Sequence, residues 1–341
     1  MKSNEKGRPS FKLQQNIIIL FAMIVLVLIF CAFNPNFVDK YNIISMAQSL
    51  APYAVMSLGV TFVIATGGID LSIGTVCIAA AVVSGKMYTL GLIPLWVTIP
   101  IMMAIGTLFG LINGLLIAKL KIPGFIATLG TMMFSRGLSA LIVSDPNIFF
   151  PSNTWYNRAF SNANGIPTGI IWVIGFMLIC MYFMYKNKVG RYILAIGSNE
   201  EATRLSGINT ERYKILAYTI CGFGAGVAAI FWSAAFPTVA AATGNGMELD
   251  AIAGVYIGGT SAAGGAASVS GSVIGAALLV VIRNGLNMVL AKFNLNLNST
   301  YVTYVLTGII VVAAVMMDVI KTKNQNKVKI DKNSKCCKKE A

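Results

Sequence analysis

Long apolar segments alternate with short polar segments along most of the chain. A helix needs roughly 20 apolar residues to cross a bilayer, and it pairs its backbone polar groups internally, as the hydrocarbon interior requires. The pattern therefore predicts an all-α, polytopic membrane protein with about ten transmembrane helices. The predicted spans are residues 17–33, 43–66, 71–88, 92–118, 125–143, 168–185, 215–236, 249–259, 270–290 and 301–320.

The third and eighth predicted spans are short or interrupted by glycine, and their sequences are similar. One reads TGGIDLSIGT at 66–75 and the other IGGTSAAGGA at 257–266. Each is followed by glycines four residues apart and by an Asn-Gly pair, which begins at Asn113 in one case and at Asn284 in the other. Matching interruptions predict two pseudo-repeated halves with a pathway between them. For the individual glycines, which include Gly106/Gly110 and Gly271/Gly275, close helix packing is the better explanation.

A hydrophilic stretch at 186–214 divides the apolar segments and predicts a short helix outside the membrane. Ser198 and Glu201 have the spacing of a capping box, with Ser198 as the N-cap, and Gly207 stands where a helix-ending glycine belongs. The predicted helix covers residues 199–206, and Glu200 and Arg204 are placed to pair on its wet side.

Ala202 and Leu205 lie three residues apart on another side of this helix. A short helix with one small apolar face suits docking into a groove on another protein. A solvated loop is the alternative, and the local sequence does not decide between them.

Basic residues are distributed unevenly between the predicted loops. With the N-terminus inside, 20 Lys/Arg lie on the cytoplasmic side and four outside, and two fall within spans. The positive-inside rule therefore places both termini in the cytoplasm. The chain divides into a leader at 1–16, a membrane domain at 17–320 and a lysine-rich tail at 321–341, with outside loops at 144–167 and 237–248.

Composition excludes several classes of function. Hydrophobic residues make up 56% of the chain and charged residues 11%, which rules out a soluble domain and makes membrane lipid the surrounding partner. The net charge of +14 lies in loops and tails, so we expect no nucleic-acid partner. The chain has no histidine and no Walker A motif, and it shows no catalytic set or metal cluster. We expect no enzyme, no cofactor and no metal.

Ionisable residues at membrane depth are candidates for a translocation pathway. Asp70 lies in a glycine turn, where it either caps the next helix or accepts from the opposite half. Arg136 and Arg283 can each neutralise a carboxylate or close a carbonyl end. The pathway candidates, including the two asparagines noted above, are Asp70, Asn113, Arg136, Glu248, Asp250 and Asn284.

Several further motifs follow one another along the chain: GGIDLS at 67–72, IPGFIATLG at 122–130 with Arg136-Gly137, the stretch 190–207, ELDAIA at 248–253 and GGTS at 258–261. In this order they resemble the membrane permease of bacterial ABC sugar importers of the ribose type. The resemblance covers about residues 33–318. It implies a permease dimer, cytoplasmic ATP-binding subunits that hydrolyse the ATP, and an extracytoplasmic sugar-binding protein.

The family's coupling motif, E-A-A-x-x-x-G, corresponds here to Glu201, Ala202, Thr203 and Gly207. Thr203 departs from the family at the third position, which is a mild change. Ala267 stands where the family often has another glycine, which affects only the expected backbone bend. The resemblance favours a docking helix over a solvated loop.

The sequence thus predicts the permease subunit of an ATP-driven importer in the bacterial plasma membrane, working by alternating access. The expected cargo is ribose or a related monosaccharide, although xylose, galactose, a nucleoside or a sugar-like signal molecule stay open. The main alternative is an ion-coupled secondary transporter of small polar solutes, with Asp70 or the Glu248/Asp250 pair as its ion site. A polytopic membrane enzyme is remote, because nucleophiles and metal ligands are lacking.

Overall fold

The computed structural model describes residues 11–143, 148–240 and 243–293, together with scattered positions between 301 and 316. The predicted tail at 321–341 and residues 1–10 of the predicted leader lie outside the described residues. The last predicted span, 301–320, is described only at those scattered positions, which are helical.

The described chain is helical almost throughout, so the all-α prediction is confirmed. A 3-10 turn at Pro35–Val38 and a π turn at Tyr182–Lys186 accompany the α-helices. The helices are α1 Phe11–Phe33, α2 Lys40–Ala65, α3 Ile73–Thr89, α4 Leu95–Ala118, α5 Gly124–Ile142, α6 Trp155–Phe160, α7 Thr168–Met181, α8 Lys188–Ser198, α9 Glu200–Leu205, α10 Thr210–Ala235, α11 Met247–Ile257 and α12 Val269–Lys292.

The prediction of about ten spans is not confirmed. Within the described residues, seven helices are long and apolar enough to cross a membrane, and α3 is an apolar but shorter helix. The eighth predicted span corresponds to α11, which has 11 residues and so rises only about 16 Å. Such a helix cannot cross the roughly 30 Å hydrocarbon layer by itself.

Glycines allow the helices at the centre of the bundle to approach closely. In α4, Gly106 and Gly110 contact the backbone of α10 at Gly222 and Gly226, where an added Cβ would collide. Close approach of this kind is the usual role of small residues in membrane helices. The packing explanation of the individual glycines is therefore confirmed.

The second set of glycines packs against a different neighbour. Gly271 and Gly275 in α12 contact Gly258 and Gly254, which lie at and near the end of α11. The two sets thus make unlike contacts, one with a long helix and one with a short helix. The division into two repeated halves stays a prediction.

The two predicted outside loops lie side by side. Their strands, β1 (Ile148–Phe149) and β2 (Thr238–Val239), form an antiparallel pair. Phe150 extends the pairing by donating its backbone N–H to the carbonyl of Pro237, with an N–O distance of 2.8 Å. The described parts of both loops therefore form one continuous surface.

Candidate coupling helix and translocation pathway

The short helix α9 is present, but the prediction that Ser198 caps it is wrong. Asn199 is the N-cap, and its Oδ1 accepts from the Ala202 amide at 2.9 Å. Ser198 is the last residue of α8, where its Oγ donates to the Leu194 carbonyl at 3.0 Å. Both residue types cap helices well, and the length of α8 decides which of them takes the role.

The ion pairs of α9 also differ from the predicted Glu200–Arg204 pair. Arg204 pairs with Glu201 at 2.6 Å within the helix, and Glu200 pairs with Lys214 of α10 at 2.6 Å. The hydrogen bond and the charge of Glu201 raise the pKa of Arg204. Glu201 therefore does not complete a capping box, whereas Glu200 fastens α9 to the start of a long membrane helix.

Gly207 ends α9 as predicted. Its φ angle is +81°, in the left-handed region that glycine reaches without steric cost. The Gly207 amide donates to Arg204 O at 3.0 Å, and the Ile208 amide donates to Thr203 O at 3.4 Å. These two bonds have the Schellman arrangement, which pairs carbonyls at a helix end.

The outward side of α9 carries the residues expected to dock. Thr203 is buried and donates its Oγ1 to the Asn199 carbonyl at 2.7 Å. Glu201 and Ala202 are exposed, and Leu205 is 79% exposed. Beside them lies a polar cleft of about 400 Å³, which reaches the Lys121–Glu211 ion pair of 2.7 Å. An apolar side chain displayed next to charged groups suits a protein partner.

The end of α8, just before α9, touches two glycine-containing turns of the membrane domain. One follows Ala65 at the end of α2, and the other contains Gly265, between α11 and α12. The amide of Gly265 donates to the carbonyl of Ala65 at 3.0 Å, which joins the two turns directly. Gly197 leaves no room for a Cβ against these same two residues. Sequence reasoning missed Gly197, because its only local signal is a glycine in the last turn of a helix.

Asp70 forms a side-chain turn just before α3, whose N-cap residue is Ser72. Its Oδ1 accepts from the amide of Ser72 at 2.8 Å and from the Ser72 hydroxyl at 2.7 Å. The network continues from Asn113 to Ser72 at 3.0 Å, and from Thr131 to Asn113 at 2.5 Å. This buried network links α3, α4 and α5.

Arg136 and Glu248 retain polar atoms without a protein partner. Glu248 is 7% exposed, lies in the first turn of α11 and packs against Gly74 of α3. Within the described chain, Oε2 of Glu248 and Nε of Arg136 are buried without a hydrogen-bond partner. Buried groups of this kind are uncommon and suggest contact with water or a ligand.

Asp250 and Asn284 belong to a third group on α2, α11 and α12. Arg283 donates to Asp250 and, at 2.6 Å, to the Tyr53 hydroxyl. The expectation that Arg283 neutralises a carboxylate is thereby confirmed. Asn284 and Asn42 exchange two amide hydrogen bonds of 3.0 Å each. Asp70 and Asn113 thus belong to one hydrogen-bonded network, whereas Asp250 pairs with Arg283 and Asn284 with Asn42.

The seven long apolar helices among the described residues, with buried ionisable groups between them, define a multi-pass α-helical membrane protein. Residues 42–315 match the family described as the permease component of the branched-chain amino acid transport system. The chain belongs to this family.

Relatives of known function are similar over nearly the whole chain. Ribose import permease protein RbsC of Escherichia coli (strain K12) is 35% identical over 306 residues, which cover 88% of this chain and 92% of the relative. RbsC of Bacillus subtilis (strain 168) is 35% identical over 299 residues, or 87% and 90% of the two chains. The L-arabinose transport system permease protein AraH of E. coli (strain K12) is 32% identical over 316 residues, or 92% and 93%.

Proposed function

We propose that this chain is the membrane-spanning permease subunit of an ATP-driven importer that moves ribose or a related monosaccharide into the cytoplasm. The family description names amino acids, whereas similar relatives are named for import of ribose, fructose and L-arabinose. These relatives cover most of the chain. They support a simple sugar as the cargo.

The observation that carries the proposal is the structure of α9. It is a capped helix, fastened to α10 by the Glu200–Lys214 pair, with Ala202 and Leu205 turned outward. In the proposal this helix docks into a cytoplasmic ATP-binding subunit, which hydrolyses the ATP. Motion of that subunit passes through α9 to α8 and the glycine turns, and it drives alternating access.

The proposal includes a sugar-binding protein on the outer side of the membrane and a second copy of the permease. An extracytoplasmic sugar-binding protein docks on the surface formed by the described parts of the loops 144–167 and 237–248, whose strands pair with each other. Two permease copies enclose the pathway, in a lipid membrane that is the bacterial inner membrane. Both chain termini and Glu201 lie on the cytoplasmic side, because the basic residues concentrate there.

Within the pathway, Arg136 and Glu248 are the residues best suited to contact water or solute. Each has a buried polar atom without a partner in the described part of the chain. Asp70 and Asn113 connect α3, α4 and α5 through hydrogen bonds. Substitutions there should therefore affect transport by shifting these helices rather than by removing a contact with the solute. The unpaired Glu248 oxygen also favours a second candidate, an ion-coupled transporter that uses this carboxyl as its ion site.

Uptake of labelled ribose by cells that lack their own ribose permease tests the proposal. The chain is expressed together with its ATP-binding subunit and its sugar-binding protein, or with either one left out. We expect uptake only with the complete set. Uptake that persists without the ATP-binding subunit and stops when the ion gradient is collapsed would support the second candidate instead.

A further inference from the structure

A pocket of about 280 Å³ opens between α2, α10 and α12. It is lined by the end of α10 and by the first half of α2, so it lies towards the end of the bundle away from α9. Among the described residues that line it, Asn284 is the only predicted pathway residue. The polar and aromatic side chains that line it include Ser45, Ser49, Trp232, Phe236, Arg283 and Asn287.

Aromatic rings form one wall of this pocket. The rings of Trp232 and Phe236 are 4.6 Å apart between centroids, and the Tyr53 ring stands nearly perpendicular to Trp232 at 6.3 Å. The buried indole nitrogen of Trp232 has no acceptor in the described part of the chain. A ligand hydroxyl could accept from this nitrogen and remove the cost of burying it unpaired, and an aromatic ring face suits the C–H face of a sugar ring.

The pocket carries no uncompensated charge. Arg283 is its one charged lining residue among those described, and it is held by Asp250 and by the Tyr53 hydroxyl at 2.6 Å. The guanidinium also lies over the Tyr53 ring, 5.3 Å from the centroid. A neutral ligand therefore finds fixed donors and acceptors here, whereas an anion finds no free positive charge.

Polar side chains are exposed at the mouth of the pocket. Ser45 and Asn287 are both exposed, although they lie on helices long enough to cross a membrane. Polar groups at membrane depth are costly against lipid and usually face water or protein. This side of the bundle is thus suited to a water-filled pathway.

We propose that this pocket binds a neutral monosaccharide at the entry side of the pathway, a proposal that rests on the import function above. The volume is near the lower end of the roughly 300–1,000 Å³ found for ligand pockets, which suits one sugar ring. Trp232 and Phe236 supply the apolar contact. Asn287, the two serines and Arg283 supply hydrogen bonds to ring hydroxyls.

Tryptophan fluorescence tests binding directly, because the chain has four tryptophans. The full chain, in complex with its ATP-binding subunit in lipid nanodiscs, keeps only Trp232 after the others are changed to phenylalanine. A matched variant keeps only Trp96, which lies outside the pocket. We expect ribose to change Trp232 fluorescence saturably and to leave Trp96 unchanged, with no effect of ribose 5-phosphate. A silent Trp232, or a stronger response to the phosphate, would overturn the proposal.

Uptake assays test whether the pocket serves transport. We expect Trp232→Ala to lower ribose uptake by about tenfold, in keeping with the loss of one aromatic contact, while Trp96→Ala, which changes a tryptophan outside the pocket, keeps most of the activity. Asn287→Leu alters an exposed side chain, so it should leave the amount of protein in the membrane unchanged and still reduce uptake.

Full uptake by both Trp232→Ala and Asn287→Leu would overturn the pocket and leave the import function intact. The exposed polar side chains at the pocket mouth would then be explained by contact with the second copy of the permease. Absence of sugar uptake by the unsubstituted transporter would instead refute the import function, and the pocket proposal with it.

Discussion

At the scale of single residues, the end of α9 depends on the backbone of Gly207. An added Cβ at this glycine meets no atom within 4 Å, but its φ angle is +81°. A larger side chain would therefore act through the backbone conformation rather than through a collision. A β-branched residue in the left-handed region costs about 1–2 kcal/mol.

We predict that Gly207→Val abolishes ribose uptake because it redirects the end of α9. Gly207→Asn is the matched control, since asparagine enters the left-handed region more readily than valine does. The asparagine variant should keep most of the uptake, and both proteins should reach the membrane in normal amounts on immunoblots. Equal uptake by the valine variant would mean that the geometry of this helix end is not needed.

Residue roles were predictable from sequence where they depend on a few neighbours. Gly207 at a helix end is such a case, and its predicted conformation is confirmed. Ser198 and Asn199 are adjacent residues of good capping type, and α8 ends where Gly197 packs against Ala65 and Gly265. That contact joins residues far apart in sequence, so local reasoning chose the wrong cap.

At the scale of elements, the long helices were predictable and the short ones were not. Helices such as α2 and α10 follow from their apolar length, within a few residues. The apolar pattern at 249–259 cannot distinguish a span from a short buried helix, because both hide their side chains. The length of α11 is set by Gly246, whose φ is +83°, and by the turn that begins at Gly258.

Ala202 gives the sharpest test of α9 as a docking element. It is exposed, so in the isolated chain a large side chain there has free space and should cost little stability, within about 0.5 kcal/mol. We predict that Ala202→Trp abolishes uptake and detaches the ATP-binding subunit on purification, because the indole occupies the partner's groove. Ala202→Ser should preserve both properties.

The contrary result would be normal uptake by Ala202→Trp with the ATP-binding subunit still attached. In that case the exposed side of α9 does not form the interface. The apolar Leu205 beside it would then lack a function, since exposed single hydrophobic residues are common on proteins.

At the scale of the whole molecule, the separation of the pathway residues was not predictable. The sequence places Glu248 and Asp250 two residues apart, yet α11 turns one towards Gly74 and the other towards Arg283. Which helices surround α11 depends on the packing of the entire bundle. The apolar pattern and the basic residues gave the class of protein, and the arrangement of the pathway required the structure.

The orientation of the molecule can be tested with single cysteines in a background without the six native ones. Arg158 and Glu201 are both exposed, so access decides whether a cysteine there reacts. We predict that a membrane-impermeant maleimide, added to intact cells, labels Arg158→Cys and leaves Glu201→Cys unlabelled. Permeabilised cells should label both, and the reverse pattern in intact cells would invert the proposed topology.

The central claim is that this permease imports a sugar at the expense of ATP hydrolysed by a partner. The most direct measurement is accumulation of labelled ribose in proteoliposomes that contain the chain with its ATP-binding subunit, with ATP inside and the sugar-binding protein outside. We predict accumulation that requires ATP and both partners and that is insensitive to ionophores. Accumulation without the ATP-binding subunit, driven by a proton or sodium gradient, would contradict the claim.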